Sequence, residues 1–138
     1  MFLLDTNVVS ELRRTKPHGG VLAWLESVAD DALFISALTL AEIQTGIEMT
    51  RMQAPQKAAD IEAWLNQVES SFQVLAMDAA VFRAWAKLMH QKSDTLYEDA
   101  MLAATAQVHR LTVVTRHVAD FKMLGATTFN PFHVKPQR

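Results

Sequence analysis

The chain has 138 residues, 50% of them apolar and 20% charged, a globular composition that fits one domain burying roughly two-thirds of its unfolded surface. It has no cysteine, which excludes disulfide frameworks, thiolate zinc sites and cysteine nucleophiles. Thirteen basic against fifteen acidic residues give a net charge of −2, which argues against a protein that coats nucleic acid by charge alone. An enzyme that grips a few phosphates and takes its remaining positive charge from a metal stays possible.

The opening apolar run, Phe2-Leu3-Leu4, reads as a short buried strand. It is far too short for a signal peptide or a membrane span, so a cytoplasmic protein is expected. Asp5, Thr6 and Asn7 end it, and renewed apolar spacing predicts a helix over Val8–Arg14. After a Pro17-His-Gly-Gly20 break, Val21–Val28 has helical spacing. Leu33–Ser36 reads as a second strand, and Thr39 opens a helix running to about Met49. Pro55–Ser71 is a longer amphipathic helix with Ile61, Trp64, Leu65 and Val68 on one face. A strand over Val74–Ala76, a helix over Ala79–Gln91 and a helix from Tyr97 to His109 follow. Leu111–Thr115 is a strand, Ala119–Met123 a helical turn and Thr127–Phe129 a last edge strand. Helical patterns alternating with short apolar runs indicate α/β architecture. No linker or repeat interrupts the chain, so one domain over residues 1–133 is expected, followed by a loose tail over 134–138.

Four carboxylates stand out by position. Asp5 ends the first strand, where open α/β sheets form ligand crevices, and a carboxylate there is costly unless something positive meets it. Glu42 lies in the first turn of its predicted helix. Asp99 sits near the start of Asp99-Ala-Met-Leu-Ala-Ala-Thr-Ala106, and Asp120 follows the strand ending at Thr115. Each also has a structural reading. Asp5 could be an N-cap, Thr39-x-x-Glu42 a capping box, Asp99 a first-turn residue favoured by the helix dipole, and Asp120 a surface turn. Thr95-x-x-Glu98 makes a second capping box. Together the acids fit one chemistry. Oxygen ligands without cysteine or a paired histidine motif suit Mg2+, with Mn2+ as substitute, better than zinc. Such an ion can activate water and neutralise charge on a phosphodiester.

Six segments in this order resemble the PIN-domain nucleases, specifically VapC toxins of the FitB-like branch. They are Leu3-Leu-Asp5-Thr-Asn7-Val-Val-Ser-Glu-Leu12, Ser36-Ala-Leu-Thr-Leu-Ala-Glu42-Ile, Asp99–Ala106, Leu111-Thr-Val-Val-Thr115-Arg116, and the closing Asp120-Phe121 with Phe129-Asn-Pro-Phe132. The resemblance implies a three-layer α/β/α sandwich with a mainly parallel sheet. It implies catalytic acids at Asp5, Glu42, Asp99 and Asp120, with Asp5 and Asp99 as metal ligands. Family members place the fourth acid after Thr-Arg, sometimes immediately after. Here that position is His117, so either Asp120 or His117 serves, His117 being otherwise a partly exposed loop residue. Thr6, Asn7, Thr115, Arg116 and His117 are implied substrate-side residues, Arg116 as the phosphate contact. Arg13, Arg14 and Lys16 form either a basic rim or a solvated helix end.

The resemblance further implies an Mg2+-dependent endoribonuclease toxin of a type II toxin–antitoxin system, acting on RNA and often on tRNA. Its partners would be a VapB/FitA-like antitoxin, promoter DNA reached only through that antitoxin, and a second copy of itself. Ile43, Ile47, Trp64 and Leu65 are candidates for the dimer face, with core packing the alternative. Phosphoryl transfer onto Asp5 is disfavoured because position seven is Asn7 and no lysine lies near the expected strand ends. No Gly-rich phosphate loop exists. A reading from another class is a non-catalytic PIN-like subunit of a DNA-binding repressor complex.

Overall fold

In the computed structural model, which describes residues 1–136, Leu3 and Leu4 are both fully buried. Neighbours in a strand point to opposite faces, so burying both requires helices on each side of the sheet. The sheet contains β1 (Phe2–Leu4), β2 (Leu33–Ser36), β3 (Gln73–Leu75), β4 (Thr112–Val114) and β5 (Thr128–Phe129). The helices are α1 (Thr6–Glu11), α2 (Gly19–Ser27), α3 (Ala37–Arg51), α4 (Pro55–Ser71), α5 (Ala79–Met89), α6 (Tyr97–His109) and α7 (Val118–Met123). Leu3 and Val113 pack with Ala100, Ala103 and Phe121 of α6 and α7 on one face. Leu4 and Val114 pack with Val8, Val21, Trp24 and Val68 on the other. The result is the expected three-layer α/β/α sandwich.

All strand pairs are parallel, in the order β3-β2-β1-β4-β5. The chain steps outward from β1 through β2 to β3, then returns to β4 on the opposite side of β1. The carboxyl ends of β1 and β4 therefore flank the point where strand order reverses, and loops diverge there to leave a crevice.

Two local readings are corrected. Helix α3 starts at Ala37, because Ser36 caps it by accepting from Leu38 N–H at 3.0 Å. Thr39 is thus inside the first turn and fully buried, and no Thr39–Glu42 capping box forms. Ser93 likewise takes the Thr95 N–H at 3.2 Å and starts a 3-10 turn that runs into α6, so Glu98 is not held in a box with Thr95. Of the candidates for a dimer face, Ile47 and Leu65 are buried between α3 and α4, while Ile43 and Trp64 pack against them and stay partly exposed.

Among the described residues no helix is long and apolar enough to cross a membrane. Residues 137 and 138 of the expected tail lie outside the described residues. Val134 packs against the cluster built on Leu4 and Trp24.

Candidate functional site

Asp5 leaves β1 with extended backbone and caps α1. Its Oδ1 accepts from Thr6 N–H at 2.7 Å, and its Oδ2 accepts from Asn7 Nδ2 at 3.0 Å and Thr115 Oγ1 at 2.7 Å. The capping role and the site role thus coincide. The side chain is only 6% exposed, and the three donors offset the cost of taking its charge out of water. Thr115 is itself fully buried, and its hydroxyl accepts from His117 N–H at 2.9 Å. Asn7 spans the same gap by a second route, its Oδ1 accepting from Arg116 N–H at 3.3 Å. The β1 and β4 loops are stitched together on Asp5.

Thr6 Oγ1 lies 3.1 Å from both Glu42 Oε1 and Thr39 Oγ1. Thr6 is the donor toward both, and its one hydrogen serves the Glu42 carboxyl or Thr39 one at a time. Glu42 is thereby turned toward Asp5 from α3. Its own burial raises its proton affinity; the Thr6 hydroxyl opposes this, and the charges of Glu98 and Asp5 add to it. The carboxyl is pushed up to about 7. Asp99, half-buried on the first turn of α6, is pushed up to about 6. Burial is the largest cause, followed by the charges of Asp5 and Asp120, while His117 pulls the other way.

At the carboxyl end of the sheet Asp5 acts on both Glu42 and Asp99, and Asp120 acts on Asp99, with Thr6, Asn7, Thr115 and the Arg116 and His117 main chain tied to Asp5 and Glu42 by hydrogen bonds. Asp99 and Asp120 join them through charge, with no side-chain hydrogen bond among the described residues. Glu98 is the addition that sequence reasoning passed over. The capping-box pattern supplied it with a structural task, whereas its charge bears on both Glu42 and Asp99. Glu11, a buried acid of α1, belongs elsewhere. Burial works to raise it, but the His18 N–H at 2.8 Å and Arg14 at 3.1 Å hold it below the usual carboxylate range. It ties down the loop after α1.

The donor set is hard oxygen throughout. Among the described residues no three His, Asp or Glu side chains stand close enough to chelate one ion together. Hard oxygen donors without cysteine or paired histidine suit Mg2+ or Mn2+ better than zinc. Burial accounts for most of the raised proton affinity of Glu42 and Asp99, and the neighbouring carboxylate charges that add to it are the part that would also draw a cation in.

Comparison with known proteins agrees with this geometry. The family model described as PIN domain matches residues 2–120. The chain is 36% identical to Toxin FitB of Neisseria gonorrhoeae, over 96% of this chain and 99% of that protein. It is 32% identical to VapC ribonuclease Y4jK of Sinorhizobium fredii, over 96% and 98%. Its fold superposes on the structure of FitAB bound to an IR36 DNA fragment with a TM-score of 0.84 and 32% identity, covering both chains completely. With a PIN-domain match over most of its length and full-length relatives of this kind, the chain belongs to the PIN-domain family, among its VapC and FitB-like toxins.

Proposed function

We propose that this chain is an Mg2+-dependent endoribonuclease and the toxin of a type II toxin–antitoxin pair. The observation that supports the reading is Asp5, fixed by three donors where strand order reverses, with its charge acting on Glu42 and Asp99.

Asp5 and Asp99 would hold the ion, with Mn2+ able to substitute. When bound, it would lower the pKa of a water and offset charge on a phosphodiester. Asp5 needs no reorganisation to act, because Thr6, Asn7 and Thr115 already set its orientation. Glu42, with a proton affinity near neutral, suits accepting a proton from the attacking water at physiological pH. Asp120 adds negative charge that sharpens ion binding, and His117 beside it can contact a phosphate. Arg116 would bind a substrate phosphate through its planar guanidinium. Attack of water on phosphorus breaks the bond to the 3′ oxygen and leaves a 5′-phosphate and a 3′-hydroxyl. The ribose 2′-hydroxyl is not consumed, so preference for RNA, tRNA included, must come from binding.

The proposed partners are a VapB/FitA-like antitoxin, promoter DNA reached through it, and a second copy of the chain, all in the cytoplasm. A groove of about 320 Å³ supports the first of these. It is lined by Ile43, Ile47, Ile61 and Trp64 with Arg13 at its side, and it runs up to Thr6 and Glu42. An apolar antitoxin segment lying there would cover the acids.

The test is incubation of purified, antitoxin-free protein with total RNA in Mg2+ and in EDTA, with product ends mapped. Discrete products bearing 5′-phosphates in Mg2+ alone are expected. Identical patterns in both, from folded protein, contradict the reading and leave the repressor-subunit role.

A further inference from the structure

A second opening adjoins the acids through Arg116, and its chemistry is opposite. This hollow of about 710 Å³ is lined by Arg116, Val118, Ala119 and Lys122 on one side and by Thr128, Phe129, Asn130 and His133 on the other. No Asp or Glu lines it, in a chain with more acidic than basic residues. Three cation-capable side chains from three separate segments converge there.

Arg116 acts on Glu11 only at a distance, and the charges are otherwise unpaired among the described residues. Arg14 and Arg51 are ion-paired, whereas among the described residues neither Arg116 nor Lys122 has a carboxylate partner within salt-bridge distance. Both are exposed. The Arg116 guanidinium lies 3.8 Å above the centre of the Phe132 ring. No side-chain hydrogen bond among the described residues uses its N–H donors, which leaves them free to grip a phosphate in two places. Asn130 uses its Oδ1 to accept from Phe132 N–H at 2.9 Å, which keeps its amide donors for a ligand.

The hollow is also joined to the acids. Arg116 N–H donates to Asn7, whose amide donates to Asp5. On α7 the turn of the helix separates two functions. Val118, Ala119 and Lys122 share the face lining the hollow, Phe121 enters the core, and Asp120 acts on Asp99. A polyanion approaching the acids over this rim meets positive charge first, which an acidic pit needs in order to receive one.

We propose that this hollow is the subsite for the RNA strand flanking the scissile phosphate. Arg116 and Lys122 each hold a backbone phosphate, and Asn130 and His133 border the adjoining nucleotide. The inference rests on the nuclease reading of the acids and adds where the substrate lies.

The test uses the full chain with Asp99→Asn, so that RNA survives, and a labelled single-stranded RNA of roughly 12 nucleotides. Anisotropy is followed across salt concentrations, without and with Lys122→Glu or His133→Ala. Both positions are exposed, so folding is preserved and is checked by melting. Lys122→Glu is expected to weaken binding about tenfold and to lower the salt slope by about one. His133→Ala should weaken binding less. In the cleaving chain, Lys122→Glu should raise KM and keep kcat. Unchanged affinity and slope overturn the proposal, as does a Lys122→Glu chain that loses only antitoxin binding. RNA binding that depends on Lys122 without any Mg2+-dependent cleavage by the unsubstituted chain upholds the subsite and fells the nuclease reading. Cleavage with a KM indifferent to Lys122 does the reverse.

Discussion

Thr115 Oγ1 donates to Asp5 Oδ2 at 2.7 Å across a sequence separation of 110 residues, and that one bond joins the ends of β1 and β4 at the floor of the site. Thr115→Val keeps the shape and removes the hydroxyl. Asp5 then loses a donor, and the His117 N–H loses its acceptor. Stability should fall by about 1–3 kcal/mol, and cleavage should fall further than stability explains, because Asp5 is no longer fixed. Urea unfolding and cleavage kinetics on the same preparation check this. Wild-type kinetics in a destabilised Thr115→Val chain would remove the positioning role.

The raised acids make a pH prediction with a definite sign. Unfolded carboxyls titrate near 4, whereas Asp99 and Glu42 are pushed up to about 6 and about 7 in the folded chain. Between those limits the folded state binds more protons than the unfolded one, so metal-free stability falls as pH rises through the window. In EDTA, Tm should decline between about pH 4 and about pH 7. Mg2+ should raise Tm more at the upper end, where protons no longer occupy the acids. Asp99→Asn should flatten the decline. A Tm in EDTA attributable to these groups that climbs across the window contradicts the charge arrangement.

Gly20 tests the docking of the chain's end. A Cβ there would lie 2.3 Å from the Val134 carbonyl oxygen and 2.8 Å from that of Pro131. Both are backbone atoms with little freedom to retreat. Gly20→Ala should cost about 1–3 kcal/mol through overpacking, measured by thermal or urea unfolding. A neutral substitution would show that the Pro131–Val134 segment does not sit against α2 in solution.

Ile47 separates core from interface on the α3–α4 face. It is 1% exposed and packs with Ala58 and Leu65, so Ile47→Ala should cost about 2–5 kcal/mol, independent of protein concentration. A loss that grows on dilution, followed by sedimentation, would instead place this face between two copies.

The elements were legible because their signals are local. The Pro55–Ser71 and Tyr97–His109 helices match the sequence reading residue for residue, since Pro at a first helical position and an acidic first turn are local marks. Helix α3 was misplaced at its start by the choice between Ser36 and Thr39, two cap-capable residues three apart. The acids were visible as strand-end and helix-start residues. Their mutual dependence was not, because Thr6 with Glu42 and Asp5 with Thr115 are contacts between distant segments that spacing does not encode. Glu98 shows the cost of a satisfying local pattern. A capping box accounted for it, and only the fold brings its charge to bear on Glu42. The hollow beside Arg116 had one visible member, since Lys122 and His133 are unremarkable alone.

The most direct measurement is Mn2+ binding, by electron paramagnetic resonance, to the antitoxin-free chain and to Asp99→Asn, paired with RNA cleavage supported by the same ion. The account predicts Mn2+ bound by the unsubstituted chain, binding sharply weakened by Asp99→Asn, and cleavage lost with it. Mn2+ binding and cleavage that both survive Asp99→Asn in full would contradict the assignment of the acids at the ends of β1 and β4 as the metal-binding, RNA-cleaving site.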